Sequence, residues 1–216
     1  MADKPIASQL KAEMERHGAY FVNEEQAAAL GRTLFGGGQL INPKMVGKTP
    51  QQLAAAAKIS VPAWARILVA PLHKVGPEEP LSAEKLTTVL GWYEVDDWHA
   101  GCERCIEMLK YGGDGHSLVI HSRDEAVILA FGIEKPAFRI VVNTWGSLGA
   151  IGATTGVMPS MTLAPGGIGG AAVGDNITVH HLLNIKRLAY ERAAPPSLAS
   201  SLAPGVQPLS SAAAPA

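Results

Sequence analysis

The run His116-Ser117-Leu118-Val119-Ile120-His121, followed by Ser122 to Phe131 and then by Arg139-Ile140-Val141-Val142-Asn143, decides the fold. The two outer runs are short and rich in β-branched residues, which suits strands and not helices. Between them, Arg123 to about Phe131 has the length of a helix, and Ser122 stands where an N-cap belongs. A strand, a covering helix and a second strand in that order put the two strands parallel, since the helix returns the chain to the same end of the sheet.

Working toward the N-terminus, the alternation repeats. Arg66-Ile67-Leu68-Val69-Ala70 reads as a buried strand, and Thr88 to Val95 as a second one. Asp96-Asp97 then caps a helix from Trp98 to about Lys110, ended by Gly112-Gly113, whose apolar face includes Trp98, Cys102, Cys105, Ile106 and Leu109. Pro71 to Pro80 carries three prolines and is a loop. Earlier still, Ile6 to Gly18 is an amphipathic helix in which Ile6, Leu10, Met14 and His17 can pack as one face. Tyr20-Phe21-Val22 suits a short strand, Asn23 caps a helix to about Phe35, and Gly36-Gly37-Gly38 breaks it. Lys44-Met45-Val46 is irregular or extended. Thr49 and Pro50 open an Ala-rich helix through Lys58. The expected fold class is α/β, with a mostly parallel sheet flanked by helices.

Beyond Asn143 the pattern stops. More than thirty residues of Gly, Ala, Thr, Ser, Met and Pro follow, almost without charge, before the compact run His180 to Tyr190. A loop of that length in a compact domain is functional or disordered, and its scattered Met, Ile, Val and Leu favour the wall of a site. Ala193 to Ala216 contains no charged residue and reads as a disordered tail.

The whole chain of 216 residues is 47% hydrophobic with a formal charge of -1, enough for a real core and one domain with appendages. Neither a basic stripe nor an acidic block points to nucleic acid or an anionic membrane as partner. The first residues lack the apolar core of a signal peptide, and no apolar run approaches the roughly 20 residues of a membrane span, so a cytoplasmic location is expected. Two cysteines speak for reduced thiols and against a disulfide framework.

Candidate chemistry is sparse. Cys102-Glu103-Arg104-Cys105 has the spacing of a redox dithiol or of half a zinc site, but no histidine stands at the short spacing that would complete a metal box. On the apolar side of a helix such thiols act as small hydrophobes. Gly167 to Ala172 fits a loose dinucleotide fingerprint without its strand, helix or distal acid, and the Gly36 cluster lacks the Lys-Ser/Thr of a phosphate loop. His180-His181 at the edge of an apolar run suits one packed and one solvated ring. No Ser or Cys occupies a strand-turn-helix elbow.

Several segments in one order carry a resemblance: Val142-Asn143-Thr144, Gly149 to Thr155, Pro159 to Leu163, Gly169-Gly170 and His181 to Arg187. Upstream they are joined by Glu84-Lys85-Leu86, Asp96-Asp97-Trp98-His99 and Gly115 to Ser122. Together they resemble the C-terminal part of coenzyme A-acylating aldehyde dehydrogenases, over about Ile6 to Tyr190. The resemblance implies a partial catalytic domain over residues 1–179, an oligomerisation strand over 180–192 and a tail over 193–216. Glu84 matches the acid that holds the nicotinamide ribose hydroxyls, a role suited to a carboxylate because it accepts two hydrogen bonds from a diol; its plain alternative is a solvated loop acid. Thr144, Trp145 and Ser147 match the loop lining the acyl end of the substrate tunnel, with Trp145 where relatives usually carry Pro, a change that could narrow the pocket. Leu183 to Tyr190 matches the strand that joins a neighbouring subunit's sheet.

The family attacks an aldehyde with a cysteine thiolate, passes hydride to NAD and releases the thioester to coenzyme A. Its nucleophile, its dinucleotide-binding domain and its oxyanion-hole Asn match nothing in these residues, and Cys102 and Cys105 match helix positions. The resemblance thus implies NAD and coenzyme A as cofactors, no metal, and a homo-oligomer or a complementary or full-length subunit as partner, in the cytoplasm or a bacterial microcompartment. The expected function is that of a split half that is inactive alone. The alternative is a non-catalytic module that associates with full-length relatives.

Overall fold

The computed structural model describes residues 1–190, which divide into a unit Met1–His181 and the start of a second, Leu182–Ala216. The tail expected over 193–216 lies outside the described residues. Three helices and four strands make up the N-terminal half of the first unit: β1 (Ala2–Asp3), α1 (Lys4–Arg16), β2 (Ala19–Phe21), α2 (Glu24–Phe35), α3 (Pro50–Ala57), β3 (Ile67–Pro71) and β4 (Val89–Trp92). There follow β5 (Glu94–Val95), α4 (Trp98–Gly112), β6 (Gly115–Ile120), α5 (Glu125–Glu134), β7 (Ala137–Val142) and a short α6 (Gly146–Ala150). Every strand pair is parallel, as an α/β chain with helical crossovers requires.

The strands form three separate ladders, β2-β3-β4, β1-β5 and β6-β7. The single strand expected over Thr88 to Val95 is two. Tyr93 interrupts it because its side chain turns into the core, where the hydroxyl donates to the Lys74 carbonyl at 2.9 Å. Its own carbonyl accepts from Ala2 N–H, which starts the β1-β5 ladder.

Capping chemistry sets the helix starts. Asn23 and Gln26 exchange side-chain and backbone hydrogen bonds at the head of α2, and Thr49 with Gln52 does the same for α3, ahead of Pro50. At α5 the cap is Asp124 in place of the expected Ser122, its carboxylate accepting from the N–H groups of Ala126 and Val127. Ser122 is occupied elsewhere: its backbone is bracketed by the Asn143 side chain, which accepts from Ser122 N–H at 3.0 Å and donates to its carbonyl at 2.8 Å. Lys44 and Met45, expected with Val46 as irregular or extended chain, lie in one turn of 3-10 helix, Pro43–Met45, led by Asn42.

One core lies between β3 and helices α2 and α3, where Leu30, Leu34, Leu53 and Leu68 are fully buried. Each such side chain contributes about 2 kcal/mol by leaving water. A smaller cluster holds α1 to the other face through Ala7, Ala19, Val69 and Trp92. Here the expected face of α1 is wrong. Ile6 and Leu10 are exposed, while Ala7 is buried and Met14 packs beside it. The small Ala7 lets the helix lie close to the sheet, and the larger Ile6 and Leu10, about 100° and 60° around the helix from it, are left outside.

Candidate functional site

Two anchored segments carry the residues singled out from the sequence. The first is the approach to β4. A 3-10 turn, Pro80–Ser82, is tied back by Ser82, whose hydroxyl accepts from Gly76 N–H at 3.0 Å. Lys85 folds over this turn, and its Nζ donates to the carbonyls of Leu81 at 2.6 Å and Ala83 at 2.9 Å. Leu86 takes a left-handed conformation with φ 44°, and its carbonyl accepts from Gly47 N–H, while Thr88 Oγ1 donates to the Lys48 carbonyl. The backbone on both sides of Glu84 is thus fixed. Glu84 itself is exposed and makes no hydrogen bond or ion pair among the described residues. Burial lowers the Lys85 ammonium to about 8, with Glu84 opposing the shift.

Sequence reasoning missed the cavity beside this segment. A space of about 490 Å3 opens between α2 and the loop after β3, with Ala27, Gly31, Leu72 and Leu81 as its apolar floor and Arg32 and His73 among its polar lining. Glu79 shapes its rim by accepting from the N–H groups of His73 and Lys74. The signal available was the Glu78-Glu79-Pro80 run in a loop, which alone does not distinguish a turn anchor from a solvated acid.

The second segment follows β7. Asn143 turns the chain with φ 53°, and Thr144, Trp145 and Ser147 come together at the head of α6. Thr144 Oγ1 lies 2.6 Å from Thr154 Oγ1, and Thr155 Oγ1 donates to the Gly149 carbonyl at 2.7 Å. The helix can sit this close only because position 149 is glycine: a Cβ there would stand 2.7 Å from the Thr144 methyl and 3.2 Å from Val141. Trp145 is 72% exposed and Ser147 is exposed, so both face outward from this turn. No hydrogen bond or ion pair joins Glu84 to this turn among the described residues.

Beneath it lies a buried polar node with no sequence signature. Arg139, on β7, donates from Nε to Asn176 Oδ1 at 2.6 Å, and from its two Nη groups to Ser117 Oγ and the Gly174 carbonyl, both at 3.1 Å. Asn176 in turn donates to the carbonyls of Ala150 at 2.8 Å and Met158 at 2.7 Å. The charge-poor loop is therefore ordered from below. Burial holds the guanidinium below its ordinary value, with Asp175 partly offsetting that.

Neither thiol is set up as a nucleophile. Cys102 is buried, and burial pushes the half-buried Cys105 thiol up, away from the thiolate. Among the described residues no three His, Cys, Asp or Glu side chains cluster as metal ligands. No helix among them is long and apolar enough to cross a membrane.

No protein-family model matches the chain. Individual proteins do. It is 41% identical over 199 residues to aldehyde-alcohol dehydrogenase 2 of Entamoeba histolytica, covering 88% of this chain and 23% of that protein. The succinate-semialdehyde dehydrogenase (acetylating) of Clostridium kluyveri is 31% identical over 87% of this chain and 40% of its own length. In three dimensions, an acetylating aldehyde dehydrogenase from Geobacillus thermoglucosidasius superposes with a TM-score of 0.85 at 43% identity, over 90% of this chain and 43% of its own. This chain is a part-length member of the acylating aldehyde dehydrogenase family. It spans less than half the length of each of these relatives. The α/β architecture with parallel strands flanked by helices is the fold of that solved relative.

Proposed function

We propose that these residues supply the distal part of the catalytic domain of an aldehyde dehydrogenase that converts an aldehyde, NAD and coenzyme A to an acyl thioester and NADH. The observation that supports the reading is the presence, in a relative's fold, of two anchored segments: the one around the Glu84 carboxylate, and Asn143 to Ala150 with Thr144, Trp145 and Ser147. In this reading Glu84 accepts hydrogen bonds from the nicotinamide ribose, a task a carboxylate without other partners performs at low cost. Thr144, Trp145 and Ser147 wall the acyl group. NAD, when bound by the complete enzyme, takes up hydride. This chain's own residues orient and enclose, because neither of its thiols is poised to attack.

The oligomerisation role belongs to Leu183 to Tyr190. These residues carry no regular structure and are exposed, Leu183 and Ile185 among them; in an extended strand those two would share one side. A segment of this kind gains its backbone hydrogen bonds by adding to another subunit's sheet. The same feature favours a second reading, a non-catalytic module that associates with full-length relatives through that strand.

The test is formation of NADH from acetaldehyde, NAD and coenzyme A, with this chain alone and with a complementary chain carrying the nucleophile and cofactor domain. Activity only in the mixture, lost with Glu84→Ala through a raised KM for NAD, is expected. Turnover by this chain alone overturns the proposal, and stable association without activity selects the module.

A further inference from the structure

Where β2 and β3 begin, a depression of about 470 Å3 is lined by Glu15, Arg16, His17 and Gly18 at the end of α1 and by Trp64 and Arg66 from the loop before β3. Glu84, Thr144, Trp145 and Ser147 take no part in it. Side chains of two helices anchor the loop. Gln51 on α3 donates from Nε2 to the carbonyls of Ala63 at 3.1 Å and Ala65 at 2.8 Å, and Gln26 on α2 donates to the Ser60 carbonyl at 2.9 Å. Ala65 is buried, and Arg66 N–H donates to the Gly18 carbonyl at 2.8 Å.

Core packing accounts for Ala65 but not for its neighbours. Trp64 is 57% exposed, and its T-shaped contact with Tyr20, 6.2 Å between ring centroids, orients the indole without burying it. Arg66 lays its stem across Gly18, where a Cβ would stand 2.8 Å from Arg66 Cγ and Cδ and where φ is 97°, so glycine is required. The Arg66 guanidinium makes no hydrogen bond or ion pair among the described residues and is exposed. A held, exposed indole is a stacking surface, and a free guanidinium is a fork for phosphate or carboxylate. The surrounding charge agrees in sign, because Arg66 and Arg16, the latter shared with Glu13 at 2.7 Å, outnumber Glu15. The carbonyls that end α1 would repel an anion, but they are already taken up. Those of Glu13 and Met14 accept from His17 N–H, and that of Glu15 accepts from Gly18 N–H.

A ring alone would suit any flat apolar molecule, and a guanidinium alone any anion. Both in one depression of ligand size suit a molecule that carries a flat ring and an anion on a short spacer, which is the build of a mononucleotide. We propose that this depression binds a mononucleotide, the base stacking on Trp64 and the phosphate held by Arg66 with Arg16 beside it. Binding involves no covalent change. Glu15, the acid of the lining, opposes the phosphate. The site does not rest on the aldehyde chemistry.

The experiment titrates the whole chain with adenosine 5′-monophosphate by isothermal titration calorimetry at low salt, with tryptophan fluorescence followed in parallel. One nucleotide per chain and quenched fluorescence are expected, with adenosine and ribose 5-phosphate each about tenfold weaker or more. Trp64→Ala and Arg66→Met should each weaken binding about tenfold, and circular dichroism checks that each variant folds. Trp64→Phe keeps a ring, so it should retain most of the affinity and lose most of the quenching. Glu15→Gln should tighten binding about twofold. No saturation at millimolar nucleotide, ribose 5-phosphate bound as tightly as the nucleotide, affinity unchanged in the W64A/R66M double variant, or binding abolished by Glu84→Ala in a folded chain each overturns the proposal.

Discussion

At the scale of single residues, the Arg139–Asn176 pair shows how a loop that looks structureless in sequence is held. Removing one partner leaves the other's polar atoms buried and unpaired, the costly side of hydrogen-bond energetics. Arg139→Met therefore lowers stability by about 2–4 kcal/mol in urea denaturation. Asn176→Asp separates the two halves of the node. An aspartate still accepts from Arg139 Nε, yet it turns oxygen toward the Ala150 and Met158 carbonyls. Hydrogen exchange should then quicken across Ile151 to Ser160 while β6 and β7 keep their protection; equal loosening of both contradicts the assignment.

Lys85 gives the second residue-scale prediction. Its folded value of about 8 is below the ordinary 10.5, so the unfolded chain binds more protons between those two pH values and stability rises with pH there. Two groups oppose the rise. Cys105, raised from 9.0, loses folded-state advantage as pH climbs past 9, and Tyr93, raised from 10.0 to about 12, does so above 10. The net gain from Lys85 is thus confined to pH 8–9, and the Met1 ammonium, held below its ordinary 8.0 by burial, adds a rise of the same sign at lower pH. Stability measured by urea at pH 7.5, 8.5 and 9 should increase by about 1 kcal/mol for one pKa unit of the window, and Lys85→Met should flatten the profile.

At the scale of elements, legibility followed the locality of the cause. Asn23 with Gln26 and Thr49 with Pro50 and Gln52 are decided within four residues, and the helices start where those residues place them. Ser122 failed as a cap because a residue 21 positions away, Asn143, holds its backbone. Ile6 and Leu10 failed as the packing face of α1 because the sheet it meets selects the smaller Ala7. The β1-β5 ladder and the Arg139 node left no local pattern at all. Close approach between distant elements makes a test. Gly115 starts β6 with φ 82°, and a Cβ there would stand 1.9 Å from the Pro165 carbonyl oxygen. Gly115→Ala should destabilise by about 2–4 kcal/mol, since both the conformation and the contact oppose it. Gly112→Ala, at the end of α4 with open space around it, should be neutral or stabilise by up to about 1 kcal/mol. Denaturation midpoints of the two variants check the contrast.

At the scale of the whole molecule, several large apolar side chains stand exposed among the described residues. Leu129 and Ile133 stand out from α5, Leu182 from the 3-10 turn Val179–Leu182, and Leu183, Ile185 and Leu188 from the irregular segment after it, with Leu188 83% exposed. The β2-β3-β4 ladder also ends in strands whose outer edges pair with nothing among the described residues. Unpaired edges and exposed apolar runs drive association between chains. The isolated chain should therefore elute above its monomer mass in size-exclusion chromatography at micromolar concentration. Leu183→Lys with Ile185→Lys should shift it toward monomer while leaving the circular dichroism spectrum unchanged, because neither side chain belongs to a buried core. A sharp monomer peak for the unmodified chain would remove the strand from consideration as an interface, and with it the physical basis for assigning a partner subunit to this end of the chain.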